Sequence, residues 1–319
     1  MLVHAFLITA YRDAKALQGV LEQILAIDGA QIYLHLDSRS KDLIGIMRSW
    51  LEAHPQKALF AKRLHWQANQ AIRWASSDHF QVQMDLARKA SRQGADYFHT
   101  ITGQCRLVVS AKAFVDFFEK EAPRSFLDYF PIPAPQWSGN GGLDRIQYYQ
   151  LYDCLDARKY PRLFDRLNQR LLAIQRALGI NRLASYDFLP RGFWGGLGYW
   201  SLHRNALATL IDHPAILTKH YRHSLCAEEF APHSILMSSQ YAKSHADELI
   251  ANNLRFVLWE KAHDEMPGIL DERQFLTLQQ SSLDSGLQEG LTAYPYLFAR
   301  KFDSTLSSRL IAQLKAIGA

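Results

Sequence analysis

The chain opens on a near-continuous apolar run. Val3–Thr9 reads as a strand buried on both faces. After a turn at Ala10-Tyr11-Arg12-Asp13, the residues Leu17, Val20, Leu21, Ile24 and Leu25 recur at the spacing of an amphipathic helix within Ala14–Ile27. Asp28-Gly29 punctuates it, and Gln31–Leu36 is a second strand that ends at Asp37-Ser38-Arg39-Ser40. Leu43, Ile46, Met47, Trp50 and Leu51 then mark one face of a second helix. A β-α-β-α start predicts a parallel sheet covered by helices. Ligands of such sheets bind at the carboxyl ends of the strands, which places the Tyr11 turn and Asp37 on one rim.

Further along, Ser76–Arg92 and Ala111–Glu121 read as helices and Tyr97–Ile101 as a strand. Pro131–Gly142, rich in Pro, Gly, Ser and Asn, reads as a long loop or a break within the domain. Leu163, Leu167, Leu171, Ile174 and Leu178 form an apolar stripe on a long helix. An aromatic, Gly-rich segment follows at Phe193–Leu202, then a helix from about Asn205, a strand at Leu254–Trp259 and a last helix at Ser304–Ile317.

Composition narrows the class. The chain has 319 residues, 48% apolar and 21% charged, which suits a folded globular protein and excludes a disordered or collagenous one. No run reaches the ~18–20 apolar residues that span a bilayer. Met1–Ala10 lacks a basic n-region, so it is read as a strand and not as a signal peptide. Cys105, Cys154 and Cys226 are odd in number and carry no CxxC spacing, which fits a reducing compartment. The net charge is +5, and it is local. Residues 157–182 contain Arg158, Lys159, Arg162, Arg166, Arg170, Arg176 and Arg182 against the single acid Asp165; this window carries +6 and leaves −1 for the rest.

Several constellations could carry chemistry. No Asp-x-Asp pair is present to hold a metal on a diphosphate, so a sugar-nucleotide enzyme of this sequence would neutralise phosphate with Arg and Lys. Arg300-Lys301, set among Leu297, Phe298, Ala299, Phe302 and Asp303, is either such a clamp or a solvated pair before the last helix. Glu228-Glu229 is either a general base with its neighbour or a helix start favoured by the macrodipole. His220 and His223 lack the further ligands a metal site needs. Gly195-Gly196-Leu197-Gly198 does not open a helix after an early strand, so its glycines serve close chain approach and not a dinucleotide. Trp137, Trp194, Tyr199 and Trp200 suit either sugar stacking or a core. The basic helix could meet anionic lipid, a phosphorylated acceptor or nucleic acid, or be a solvated face.

Taken in order, seven segments resemble the core-2/I-branching β-1,6-N-acetylglucosaminyltransferase and peptide O-xylosyltransferase family, over roughly Ala5 to Leu314. Ala5-Phe6-Leu7-Ile8-Thr9-Ala10-Tyr11 resembles its opening strand, with Tyr11 where the family usually has histidine. Tyr33-Leu34-His35-Leu36-Asp37-Ser38-Arg39-Ser40 resembles the strand whose aspartate helps seat the nucleotide. Arg73-Trp74-Ala75-Ser76 is similar to a Trp-Gly segment, with Ala75 in the glycine's place. Tyr97–Gln104 resembles the strand before a Ser-Gly-x-Asp turn, with Cys105 at the aspartate position and Arg106-Leu107 for aromatic-Pro. Gly198–Arg204 is similar to an aromatic acceptor-side segment, and Ala227-Glu228-Glu229-Phe230 to the catalytic acid's stretch. Leu297–Asp303 resembles the segment whose basic residues bind diphosphate in place of a metal.

The resemblance implies a GT-A-type α/β fold: one domain with a mixed, mostly parallel sheet, a nucleotide-binding half over about 1–130 and an acceptor-binding, catalytic half over about 131–319. It implies an inverting, metal-independent transfer from a UDP-sugar, GlcNAc or xylose, to a hydroxyl of a glycan or lipid-linked glycan acceptor. Glu229 would be the base and Arg300 and Lys301 the diphosphate clamp. Tyr11, Asp37, Arg39, Arg73 and Trp74 would form the nucleotide pocket, and Trp137, Tyr199, Trp200 and Glu228 would contact substrate. No cofactor or metal is expected. A bacterial cytoplasmic enzyme of cell-surface polysaccharide synthesis, in peripheral contact with an anionic membrane, fits this picture. The alternatives are a non-catalytic glycan-binding protein and a nucleic-acid-binding protein using the helix at 158–182.

Overall fold

The computed structural model describes residues 1–187, 189, 191–212, 220–260, 266–283 and 294–318. It is an α/β protein built on a seven-stranded, mostly parallel mixed sheet. β1 (His4–Ala10) lies between β2 (Ala30–Leu36) and β4 (Tyr97–Thr102), parallel to both, with Thr9 level with His35 and Thr102. β3 (Leu64–Gln67) extends the sheet beyond β2. On the other side β9 (Trp200–His203) runs antiparallel between β4 and β6 (Ser125–Leu127), and β10 (Leu249–Ala251) lies beyond β6. Strands from both halves of the sequence therefore share one sheet.

Each residue of β1 is buried because both faces of the sheet are covered. Phe6 and Ile8 pack with Leu17, Leu21 and Ile24 of α1 (Ala14–Leu25) and Phe114 and Phe118 of α5 (Ala111–Glu121). Ala5 and Leu7 face the opposite layer, with Phe80 and Met84 of α4 (Asp78–Arg92), Leu207 of α9 (Arg204–Ile211) and Leu236 of the helix Ala231–Ser238. Period-2 alternation within an apolar strand thus feeds two cores. Helix α2 (Lys41–Ala53) contributes Leu43 and Met47 to the α1 side.

A second, three-stranded sheet places β12 (Phe298–Arg300) between β11 (Arg255–Val257) and β5 (Cys105–Leu107). The expected strand at Leu254–Trp259 shortens to β11. The expected last helix starts at Ser308 instead of Ser304, because Asp303 accepts hydrogen bonds from the amides of Thr305 and Leu306 in a turn first. Arg255 joins the two sheets. It is buried, donates to Ser201 Oγ at 2.8 Å and to the Trp200 and Thr100 carbonyls at 2.8 and 3.2 Å, and lies over the Phe298 ring. Burial pulls its guanidinium down to about 9.

The long helix α8 (Pro161–Ala177) carries the expected apolar stripe. Its apolar stripe is not its buried face. Leu163, Leu167, Ile174 and Leu178 are 47, 39, 56 and 70% exposed, whereas Phe164, Asn168, Leu172 and Gln175 are buried. Two amides explain the choice. Asn168 accepts from the Leu151 amide at 3.0 Å and donates to Gln150; Gln175 accepts from the Tyr149 amide at 2.8 Å and donates to its carbonyl at 2.9 Å. The helix is docked by hydrogen bonds to the 149–151 backbone, which an apolar count does not register.

Candidate functional site

The carboxyl ends of β1, β2 and β4 open into a cleft of about 500 Å³. Its wall takes residues from the early strands, from the segment before α8, from the Gly198–Tyr199 turn, from the stretch Cys226–Glu229 and from β12. Tyr11, Asp37, Arg39, Arg73, Trp74, Tyr199, Glu228, Glu229 and Arg300, all anticipated, line this one cleft.

Asp37 ends β2, and its carboxylate is fully engaged within the protein. Oδ1 accepts from the Arg39 amide at 2.9 Å and Arg39 Nε at 3.0 Å; Oδ2 accepts from another Arg39 nitrogen at 2.8 Å and from the Ile72 amide at 3.0 Å. Burial works against this charge, but the Arg39 bonds and the Ile72 amide hold the carboxyl below its ordinary value. Arg39 reaches on to Asp156 at 2.5 Å. Asp37 therefore shapes the wall through Arg39. Arg73 is held in the same way, by bidentate bonds of 2.9 and 3.1 Å to the buried Asp78.

Other cations facing the cleft have no acidic partner among the described residues. Arg12 donates to the Gln104 side chain at 3.1 Å. Arg158 lies 5.2 Å from the Trp74 ring centre, and Lys159 follows it on the wall. Arg300 donates to Thr102 Oγ1 and lies 4.9 Å from the Tyr199 ring centre. Lys301 does not line the cleft. It is buried behind the wall, where burial and then Arg12, Arg300 and Arg158 push its ammonium down against the pull of Asp303. It adds to the local field without presenting its ammonium to the cleft.

The acids lie on the stretch Cys226–Glu229. Glu229 is held by Arg145 at 2.5 Å, with 28% of its side chain still open. Burial raises its carboxyl above the ordinary value, Arg145 pulls it back, and Glu228 raises it further. Glu228 Oε1 lies 3.3 Å from His79 Nδ1, and His79 Nε2 lies 3.1 Å from Thr9 Oγ1. Glu228 Oε2 is buried without a hydrogen-bond partner among the described residues. Gly198 permits this packing: a Cβ there would meet Glu228 Cγ at 2.8 Å. At Gly196 a Cβ would fall 2.3 Å from the Asp128 carbonyl oxygen, so close chain approach accounts for both glycines.

Two aromatic residues leave the expected contact set. Trp200 is fully buried in the sheet core, its amide bonded to Thr100 Oγ1 at 2.8 Å. An inward position on β9 fixes it there, and it does not reach the cleft. Trp137 stands one layer back. It packs on Gly142 and Gly195 and carries Arg145 4.1 Å from its ring centre, so it supports the arginine that holds Glu229. The basic window also divides. Arg158 and Lys159 face the cleft, and Arg162, Arg166 and Arg170 face solvent. Arg176 lies 3.9 Å from Asp144, and buried Arg182 donates to the carbonyls of His220, Arg222 and His223.

Sequence reasoning missed Arg12, His79, Gln104, Arg145 and Asp156. His79 and Arg145 are lone polar residues at helical positions, where spacing carries no signal. Arg158 and Lys159 were grouped with the helix because they are adjacent to it. Among the described residues no cluster of three His, Cys, Asp or Glu side chains is placed to hold a metal ion. No described helix is long and apolar enough to cross a membrane. No family model matches the chain, and no curated protein does.

Proposed function

We propose that the chain is a GT-A-type glycosyltransferase, inverting and metal-independent, that moves a sugar from a UDP-sugar to a hydroxyl of a glycan or lipid-linked glycan acceptor. One observation carries the reading: Arg12, Arg158, Lys159 and Arg300 face the same cleft as Glu229 and have no acidic partner among the described residues. Such cations suit a ligand with adjacent negative charges. A partly buried acid with a raised carboxyl suits proton abstraction near neutral pH. Tyr11, Tyr199 and Trp74 add aromatic surface for a base or sugar ring.

In the proposed reaction Glu229 takes the proton of the acceptor hydroxyl. The oxygen attacks the anomeric carbon from the face opposite UDP. The bond from that carbon to the diphosphate breaks, and its electron pair leaves on the diphosphate oxygen, so the anomeric configuration inverts. Arg300, with Arg12, Arg158 and Lys159, stabilises the growing charge, as fixed cations in a partly dry site do. Asp37 and Asp78 hold Arg39 and Arg73 in the nucleotide wall.

UDP-GlcNAc and UDP-xylose, offered with glycan acceptors in EDTA, should release UDP. Release that depends on added Mn²⁺ or Mg²⁺ would sink the metal-independent route. Glu229→Gln should lower turnover by ~10²–10⁴-fold while UDP affinity by calorimetry stays near wild type. Near-normal turnover would move the base elsewhere. A wild-type protein that binds glycans but not UDP would be a glycan-binding module instead.

A further inference from the structure

The outward face of α8 is unusual for a soluble helix. Advancing about 100° per residue, Tyr160, Leu163, Leu167, Ile174 and Leu178 fall within one narrow arc, and all five are exposed. No described element packs over them. Arg170, Arg166 and Arg162 continue from the edge of that arc, also exposed and with no acidic partner among the described residues. The helix's only acid, Asp165, and the Asp144-facing Arg176 lie on the far side. Asn168 and Gln175, about 100° further round, anchor the adjoining face to the 149–151 backbone and leave the apolar arc exposed.

We propose that α8 lies along the surface of an anionic lipid bilayer, with the apolar arc inserted at the acyl boundary and Arg162, Arg166 and Arg170 among the headgroups. Charge complementarity selects this occupant. An apolar stripe edged by unpaired arginines matches the two layers of an anionic membrane surface. A nucleic acid would use the arginines and leave the leucines without a role. A second copy would bury the leucines but bring the arginine rows of two helices close together. The 17-residue helix is about 25 Å long, enough to lie flat and too polar to cross. Arg158 and Lys159, which directly precede α8, line the cleft, so docking would set the cleft mouth against the membrane. The inference stands on α8 alone and does not rest on the transferase reading.

The test is cosedimentation of the full chain with vesicles of phosphatidylcholine mixed with phosphatidylglycerol, and with vesicles of phosphatidylcholine alone. The protein should bind the anionic vesicles and bind the neutral ones far more weakly. Combined Arg162→Gln, Arg166→Gln and Arg170→Gln should reduce anionic binding about a hundredfold, from the attraction of three basic side chains. Combined Leu163→Ser, Leu167→Ser and Ile174→Ser should reduce it about tenfold or more. All six side chains are exposed, so both variants should melt like wild type. Failure to bind anionic vesicles would overturn the proposal, as would binding that survives the serine changes. A concentration-dependent dimer that the serine changes dissociate, with no vesicle binding, would overturn it in favour of a second copy. Each readout is binding, so it fails or succeeds independently of UDP release.

Discussion

On the wall built from residues 37–39 and 72–78, every arginine is clamped: Arg39 into Asp37 and Asp156, Arg73 into Asp78. Elsewhere on the cleft lining Arg12, Arg158 and Arg300 rest on an amide, an indole ring, or a hydroxyl and a phenol ring. The same side chain does two kinds of work. A clamped guanidinium has its charge matched within the protein and contributes shape. One resting on neutral partners keeps its charge available to a ligand.

That contrast breaks most visibly at Asp78. Asp78→Ala should destabilise the fold by about 2–3 kcal/mol in denaturant melts, below the ~3–5 kcal/mol for a fully buried pair because Arg73 is a third exposed. UDP affinity should change less. Since Arg73 holds the Asp78 carboxyl below its ordinary value against burial, its contribution is present above the ordinary carboxylate range. It is lost as pH falls through the depressed folded value. A pH series of melts should show that slope in wild type and a shallower one in Asp78→Asn.

Arg300→Ala should do the reverse. Stability should hold while UDP affinity drops by about 2 kcal/mol, roughly thirtyfold. Equal loss of stability at both sites would erase the distinction between the walls.

Glu229 sharpens it. The proposed transfer needs its carboxylate, so kcat/KM should fall as pH drops through a value above the ordinary glutamate range. Arg145→Met removes the cation that favours the charged form and should move that acid limb further up. Glu228→Gln removes a neighbouring negative charge and should move it down. A limb that ignores both changes would not belong to Glu229.

The smallest effect is at Ala75, whose φ of 63° lies in the left-handed region. Ala75→Gly should stabilise by about 1 kcal/mol, measured by thermal melting. The Ala75 carbonyl accepts the Cys226 amide at 2.8 Å, which ties the 72–78 wall to the acid-bearing stretch.

The first half of the fold was readable because β1, α1, β2 and α5 carry strong periodicity, and their bounds agree with the pattern to within a residue or two. β5, β6, β10 and β12 are three residues long and cannot show a period. α8 was legible as a helix, but its orientation was not. Its pattern was seen, but amide hydrogen bonds decided which face turned inward. Site residues found by ordered segments mostly met in the cleft. Trp200 was misplaced because β9 lies inside the sheet between β4 and β6, where successive residues are buried, and Lys301 because it follows β12, where no strand period places it. Arg12, His79 and Arg145 owe their roles to contacts across 84 to 149 positions of chain, which no local pattern encodes.

β12 enters its sheet between two strands laid down much earlier, and it brings Arg300 with it. During synthesis, a chain already holding Asp37, Trp74 and Glu229 would still lack the central strand of that sheet. The edges of β5 and β11 would stay open, and the cleft would lack a main cation. Closure of that sheet and the arrival of Arg300 at the cleft thus come in one step. Copies stopped before residue 298 would be marked by the exposed edges of β5 and β11.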